Sequence, residues 1–600
     1  MLVTLDFETY FDVKFSLTKM TTMEYVQDER FKVWGVGIKI DHAPAVWYTA
    51  DEVEDALNEI PWDESHLICH NTPFDAFILT QYYKHIPSYY VDTAAMSRGL
   101  YPGQSARLRD CAVRLFPNDE SKRKGEELVN AKGIIDLSPE LDEEIGNYCI
   151  QDVELTYLIW KQMLCDMPHS EMDLINLTCK MFCEPTLHID RERLTEYHKN
   201  EYEKAEKLIE NSGVDRKILS SNQQFAKYIQ DVLCIAPPTK KSPTTGEQIP
   251  ALGKNDKAFN QMQKMHPELE HIWDARTAVK SRLTETRAKR FLDAALPDNS
   301  LPVPLRYYAA HTGRFGGTEK LNMQNLPRGG ELRRCICASD SENLLYVADL
   351  SNIEARMLAW LAGETDLLQQ FKNGDDIYSA FASIIYQRKI NKKDDPVERF
   401  VGKTAILGLG YGMGGQKFKD TLETGAAGPP VHFTLEEATS IVRTYRQTYP
   451  RIAMLWNKLE ILLKQSLYKP NYGIVYGPLT VGDCSLKLPN GMALRYHNLK
   501  LLSKGLMYES RNKTEYTYGG RITENVIQAL SRIVITDSML RLDKKFNVAL
   551  QVHDEIIISS TNNDPDDTLQ QMLTDMCVSP DWAKDLPLDA EGVFGAYYAK

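Results

Sequence analysis

At roughly 100–200 residues per domain, a chain of 600 residues points to several domains rather than one compact module. An apolar fraction of 43% with 26% charged residues excludes wholesale disorder, collagen and coiled coil. Acidic side chains (83) outnumber basic ones (70), and the net charge of −13 excludes a uniformly basic nucleic-acid coat. A local basic groove stays possible, because phosphate binding depends on where charge sits.

The N-terminus, MLVTLDFETY, lacks the basic flank and long apolar run of a secretory signal. No stretch approaches the roughly 18 uninterrupted apolar residues of a membrane span. The 11 Cys include no C-x-x-C pair, so neither a disulfide framework nor a zinc site is expected. Cys179/Cys183 and Cys335/Cys337 read as small hydrophobes in a reducing cytosol. The expectation is an intracellular, multidomain protein without membrane partners.

In chain order, the first 165 or so residues alternate strand and helix patterns, which predicts an α/β layer. Strands are predicted at Met1–Leu5, Lys32–Ile40 and His66–Cys69. Ser138-Pro139 followed by Glu140, Asp142, Glu143 and Glu144 predicts an N-cap, a proline at the first helical position and an acidic first turn. That helix should run through Tyr148 and Asp152 to about Leu164. Residues 166–300 read as mostly helical and highly charged, interrupted by a polar loop, Pro237–Gly246. The window Arg276–Arg290 carries six cations against one acid, Glu285, and reads either as a solvated helix face or as a surface that tracks phosphates. A strand, LLYVA, ends at Asp349; helical patterns follow to about 465, and strand–turn–helix signals return over 470–540. The segment VALQV-HD-EIII then predicts a hairpin over Val548–Ile558.

Two constellations of acids carry chemistry. Asp6-Phe7-Glu8 sets two carboxylates on one face where the first strand is expected to end, which suits a divalent Mg or Mn ion. His70-Asn71-Thr72-Pro73-Phe74-Asp75 adds Asp75 at a strand-to-helix junction, and Tyr148 and Asp152 share one helix face four residues apart. A phenol and a carboxylate projected together can orient a metal-bound water and bind the metal. The ordered set resembles the three motifs of the proofreading 3′–5′ exonuclease superfamily, in the variant with tyrosine in the third motif. The resemblance implies that Asp6, Glu8 and Asp152 hold metals, that Asp75 supports them and that Tyr148 positions the water.

The second constellation begins at Val347-Ala348-Asp349, where an acid closes a buried strand and Glu354 follows five residues on. Asp554 lies in the tight turn of Val552-His553-Asp554-Glu555. Such acids near a core are costly unless paired or metal-bound. Asp349 and Asp554 on adjacent strands make the simplest two-metal site, one ion activating a primer 3′-hydroxyl and the other neutralising pyrophosphate. Between them Arg399, Lys403, Leu407 and Tyr411 recur every four residues along one helical stripe, offering phosphate contacts and then an apolar pocket. Gly408, Gly410 and Gly412 suggest close approach to a ligand or a helix that moves.

These segments resemble motifs A, B and C of family A DNA polymerases, the group of bacterial DNA polymerase I and many phage replicases. Thr312-Gly313-Arg314 with Gln324 and Asn325 resembles the segment that touches the primer–template minor groove. Arg333-Arg334, Tyr449-Pro450 and Pro587-Leu588 also fit the family pattern, and the Lys240 loop with the basic helix resembles the thumb. The resemblance implies a multidomain α/β and α+β architecture: a ribonuclease H-like exonuclease domain (1–165), then a right-hand polymerase with thumb (166–300), palm (301–365 and 501–600) and fingers (366–500). It further implies Mg2+ or Mn2+, two ions per active site, held by Asp349 and Asp554 with Glu555 as helper. Glu354 would be the steric gate against a ribose 2′-hydroxyl. Arg399 and Lys403 would hold the triphosphate, Tyr411 would sit beside the templating base and His553 would meet the primer terminus. Two positions depart from the pattern: Tyr378 stands where many members have histidine, and Leu407 where they have phenylalanine or tyrosine.

The implied partners are primer–template DNA, deoxynucleoside triphosphates and an unidentified processivity factor or phage replisome protein, in the cytoplasm of an infected bacterium. Some phages with similar polymerases carry 2-aminoadenine in place of adenine, and the motifs leave the choice of triphosphate open. A single-subunit RNA polymerase is disfavoured by Glu354, the Asp554-Glu555 pair and the proofreading motifs. Complete A, B and C motifs argue against an exonuclease with a degenerate polymerase region. A non-catalytic clamp would not need so many convergent acids.

Overall fold

A computed structural model describes residues 1–119, 129–242, 246–254, 256–425, 428–469, 473–510, 513–561 and 563–598. The tip of the predicted Pro237–Gly246 loop, residues 243–245, and the last two residues lie outside that set. Packing divides the chain into two compact units, Met1–Leu187 with Pro302–Asn325 and Ala338–Lys600, and His188–Leu301 with Leu326–Cys337. No helix among the described residues is long and apolar enough to cross a membrane.

The first unit opens with a five-stranded sheet built from β1 (Leu2–Thr9), β2 (Val33–Ile40), β3 (Val46–Thr49), β4 (His66–Cys69) and β5 (Tyr89–Asp92), in the order β3-β2-β1-β4-β5. Strand β1 is antiparallel to β2 and parallel to β4, which is parallel to β5. Val3, Leu5 and Phe7 alternate into the core, so Asp6 and Glu8 share the opposite face. The strand outruns the apolar stretch that predicts it. Its pairing with β2 carries Asp6 opposite Gly37 and Glu8 opposite Gly35, and the register shifts only at Thr9.

Four helices of this part matter for the site: α1 (Pro73–Phe77), α2 (Leu108–Leu115), α3 (Pro139–Leu164) and α4 (His169–Cys183). Helix α3 starts as expected, with the Ser138 hydroxyl accepting from Leu141 N at 3.3 Å. It crosses β2 where β2 has no side chain: a Cβ on Gly37 would lie 2.7 Å from Cys149 Sγ. Helix α4, which the sequence groups with the thumb, packs in the first unit instead, where Asn176 Oδ1 accepts from Tyr90 N of β5 at 2.9 Å.

The second unit closes on itself where Ile189 pairs with Ile336, around a core that includes Leu219, Phe225, Phe259 and Trp273. The expected basic helix is two helices, α5 (Glu270–Lys280) and α6 (Leu283–Ala294). Its six cations do not form one face. Arg276 is buried, donates to Leu219 O and Asn222 Oδ1 and stacks 4.7 Å over the Phe225 ring. Burial pushes its guanidinium down to about 10. Arg282 pairs with Glu206 and Glu285. The predicted polar loop is a short hairpin instead, with Lys240 opposite Ile249 and its ammonium 2.7 Å from Asp256.

The rest of the first unit is organised by β6 (Asn343–Leu350), followed by α7 (Ile353–Ala362), α8 (Ile377–Tyr386) and α9 (Pro396–Leu409). Next come a three-stranded sheet of β7 (His497–Leu502), β8 (Gly505–Ser510) and β9 (Lys513–Thr517), then the long α10 (Gly519–Asp543). The predicted hairpin forms as β10 (Asn547–Val552) and β11 (Glu555–Thr561), and β12 (Ala590–Gly595) completes a sheet in the order β10-β11-β6-β12. A buried knot ties this part to α4. Glu171 accepts from Nη1 and Nη2 of Arg532, from the Tyr307 hydroxyl and from Asn490 Nδ2. Burial opposes ionisation of Glu171, yet Arg532 and the other donors hold its carboxyl below the usual range. Removing one partner of such a pair costs about 3–5 kcal/mol, because the other charge stays buried.

Candidate active sites

The N-terminal acids meet at the carboxyl end of β1. Asp6, Glu8 and Cys149 offer ligand atoms within 4.8 Å of one another. Asp152, one turn beyond Cys149 on α3, is 5% exposed. Burial drives the Cys149 thiol well up, and the carboxylates of Asp6, Glu8 and Asp152 add to the shift, so all three acids bear on one point. Hard carboxylate oxygens converging at a partly open edge suit Mg2+ or Mn2+. Neighbouring Cys149, a buried neutral thiol donating to Asp6 O at 3.3 Å, is the residue that motif reading passes over. The motif spacing names Tyr148 and Asp152; only the glycine-paired crossing of α3 over β2 shows what lies between them.

Asp75 acts on the strand itself. Its Oδ1 accepts from Phe7 N at 2.9 Å, between Asp6 and Glu8. Burial pushes its carboxyl up to about 7. The folded value lies above the unfolded one, so the unfolded chain releases its proton first. The stabilising contribution is therefore full below about pH 4 and is lost as pH rises toward 7. Asp75→Asn, which keeps the acceptor without the charge, should gain stability over wild type from pH 5 to pH 8 by an amount on the order of a few kcal/mol. Thermal unfolding in EDTA at both pH values measures it, and equal midpoints at pH 8 would contradict it.

In the second site Asp349 stands opposite Glu555 in the β6–β11 register, and Asp554 occupies the turn before Glu555. Leu350 N donates to Asp554 O at 3.1 Å, drawing the turn against the end of β6. The turn is strained at His553, with φ +57. Gln324 holds it there: His553 N donates to Gln324 Oε1 at 3.1 Å, and Gln324 Nε2 donates to Gln551 O at 2.5 Å. Gln324 is thus buried and braces the hairpin, while Asn325 is exposed. Glu555, 2% exposed, takes the hydroxyl of Tyr598, a partner more than forty positions away that no local motif would reveal.

The helical stripe is largely as expected. Arg399 grips Asp376 through Nε at 2.6 Å and Nη2 at 3.1 Å. Arg399 and Lys403 lie 5.3 and 6.0 Å from the centre of the Tyr378 ring. The Tyr378 hydroxyl donates to Asn352 Oδ1 at 2.5 Å, and burial pushes its phenol up to about 12. Asp376, the partner the stripe reading omits, sits in the same Asp376-Ile377-Tyr378 run as the N-cap of α8. Leu407 is 40% exposed. Tyr411 lies beyond the end of α9, in the following turn, so the stripe finishes outside the helix. Its hydroxyl donates to Glu354 Oε2 at 3.2 Å, and Arg314 pairs with the other carboxylate oxygen.

The glycines have internal reasons. A Cβ on Gly410 would lie 2.7 Å from Leu358 Cδ2, and Gly412 turns at φ +80. They serve packing and chain reversal, where the sequence suggests ligand approach.

Known proteins share this plan. The family model described as DNA polymerase family A matches residues 190–600. A DNA polymerase of Bacillus phage SP02 is 26% identical over 562 residues, covering 83% of this chain and 81% of the phage protein. DNA polymerase I of Helicobacter pylori strain ATCC 700392 / 26695 is 25% identical over 400 residues, and the match spans 64% of this chain but 38% of that protein. The solved POL domain of Pol1 from M. smegmatis, in complex with DNA primer-template and dNTP, superposes with a TM-score of 0.66 at 17% identity, over 99% of this chain and 95% of that one. At that identity the likeness speaks to the fold.

Proposed function

The chain belongs to DNA polymerase family A, and from that membership we propose that it extends a primer on a DNA template and removes mispaired 3′ ends in a separate N-terminal site. The observation that carries the first activity is the register of the β6–β11 pair, which brings Asp349, Asp554 and Glu555 to one end of a sheet. Asp349 and Asp554 would hold two Mg2+ ions, which lower the pKa of the attacking hydroxyl and neutralise the departing pyrophosphate. Arg399 and Lys403 hold the triphosphate, with Asp376 fixing the guanidinium and Tyr378 supplying a ring beneath both cations. Glu354, steadied by Arg314 and Tyr411, excludes the ribose 2′-hydroxyl. His553, presented by the strained turn, meets the primer terminus. The M. smegmatis neighbour, captured with primer-template and dNTP, supports the same partners here.

For the second activity, Asp6, Glu8 and Asp152 would hold the metal, Tyr148 would orient the attacking water and Asp75 would fix β1. Residues 1–165 form this exonuclease domain. The remainder divides into thumb (166–300, less helix α4, which packs in the first unit), palm (301–365 and 501–600) and fingers (366–500).

Primer extension with the four deoxynucleotides tests the reading. Synthesis should require a template, stop in EDTA and resume with Mg2+; template-independent addition, or extension that persists in the chelator, would overturn it. Replacing dATP by its 2-amino derivative in the same assay measures tolerance of the modified base.

Leu407 sets a further expectation. Leucine has no hydroxyl to stand in for the missing 3′-hydroxyl of a dideoxynucleotide, so the enzyme should discriminate against chain terminators. A hydrogen bond regained in Leu407→Tyr is worth roughly 0.5–3 kcal/mol, a few-fold to about a hundredfold in selectivity. Matched deoxy and dideoxy incorporation by an exonuclease-dead variant gives the ratio. No change, with normal deoxynucleotide use, would show that residue 407 does not face the sugar.

A further inference from the structure

Cross-strand partners in the β6–β11 register project to the same face, so Asp349 and Glu555 stand together, with Asp554 in the adjoining turn. Glu555 is buried, and Asp349 and Asp554 are half-buried. Their oxygens are the hard donors that suit Mg2+ or Mn2+. Three carboxylates at one end of a sheet also repel one another, and burial makes each charge costly. Holding Glu555 ionised and in one orientation beside two other acids therefore calls for a donor from outside the cluster.

Tyr598 supplies it. Its hydroxyl donates to Glu555 Oε1, and its side chain is 1% exposed. The two residues are not sheet neighbours. Strand β12 starts beside the acids, with Glu591 opposite Asp349, and leaves the sheet at Gly595, opposite Leu345. That exit is about 13 Å further along β6 at the usual rise of roughly 3.3 Å per residue. Just past it, Ala338 N donates to Ala596 O at 3.0 Å, and the chain turns so that the Tyr598 ring reaches back to Glu555. Phenylalanine would fill the same space, so packing accounts for the ring and leaves the hydroxyl to be explained. A hydroxyl on a carboxylate makes one of the stronger hydrogen bonds in a protein, and committing Oε1 fixes how the carboxylate is turned.

We propose that Tyr598 is a positioning residue for the polymerase centre, its hydroxyl orienting the Glu555 carboxylate beside Asp349 so that the acid cluster binds divalent metal as nucleotidyl transfer requires. The role rests on the polymerase reading above. Tyr598 itself touches neither substrate nor metal; it acts through Glu555.

The test places Tyr598→Phe in a full-length parent carrying Asp6→Ala and Glu8→Ala, so that the metal centre being read is the polymerase one. Phenylalanine keeps the ring and removes only the oxygen. Mn2+ binding to the complex with a dideoxy-terminated primer–template, followed by the electron paramagnetic resonance of the free ion, should weaken by about tenfold, the scale of one lost hydrogen bond to a charged group. The Mg2+ concentration giving half-maximal extension should rise by a similar factor, while duplex affinity in EDTA stays at the parent value. Glu555→Gln provides the second arm. Adding Tyr598→Phe to it should change Mn2+ affinity and extension little further, because both substitutions break the same link. Parental Mn2+ affinity and Mg2+ midpoint in Tyr598→Phe would overturn the proposal. Losses that add in the double variant would overturn it too, since a tyrosine that only packs does not act through Glu555. If the parent extends no primer, the polymerase reading fails by itself, and the Mn2+ titration still decides whether the Tyr598 hydroxyl bears on metal binding at these acids.

Discussion

Asp349→Ala and Asp554→Ala should each lower primer extension by roughly 10³–10⁵-fold, with duplex binding retained. The size follows from what the carboxylates do. Metal charge stabilisation at a transferring phosphoryl group is worth several kcal/mol, and each 1.36 kcal/mol is about tenfold in rate. Both acids sit at the partly exposed end of a sheet whose central strand is buried on both faces, so truncating them leaves the packing of Leu345–Ala348 intact. Single-turnover extension under saturating enzyme isolates the chemical step, and gel-shift titration reports binding. Robust extension by Asp349→Ala would remove the assignment of this site. Glu555→Ala should behave differently, combining loss of rate with loss of stability, because Glu555 is buried against Tyr598.

The second large effect is separation of the two activities. Asp6→Ala combined with Glu8→Ala should abolish the proposed 3′–5′ degradation of a mispaired primer, by three orders of magnitude or more on the same charge-stabilisation argument, about 4 kcal/mol. Extension of a matched primer should stay near wild type, because these carboxylates and Asp349 belong to different sheets. Both substitutions are on the partly open face of β1, away from Val3, Leu5 and Phe7. The measurement is loss of a 3′-labelled mismatched nucleotide beside extension in one preparation. Degradation at the wild-type rate would show that the N-terminal acids do something else.

The sequence reveals most about strands and acids and least about partners distant along the chain. His66–Cys69 and the Val548–Ile558 hairpin are legible because apolar runs end at turn residues, and α3 because Ser138-Pro139 announces its start. The basic window Arg276–Arg290 misleads, since composition cannot tell a solvated cation from Arg276 folded beneath Phe225. Gln324 reads as a DNA contact from its motif alone, and nothing in the sequence signals that its amide also braces the turn at His553. Tyr598, Asp376 and Cys149 stay hidden because each earns its place through a contact made by tertiary packing alone.

The strand order β10-β11-β6-β12 has a consequence for biosynthesis. Strand β6 is central in the folded sheet, yet both neighbours are encoded far downstream, β12 about 240 residues after Leu350. At roughly 5–20 residues per second, translation leaves Asn343–Leu350 without its sheet partners for about 12–50 s. An apolar strand with two open edges is a template for wrong pairing. During that interval the nascent chain depends on shielding by chaperones or by its own earlier-made helices, and slowing the ribosome between codons 350 and 590 lengthens the exposure in direct proportion.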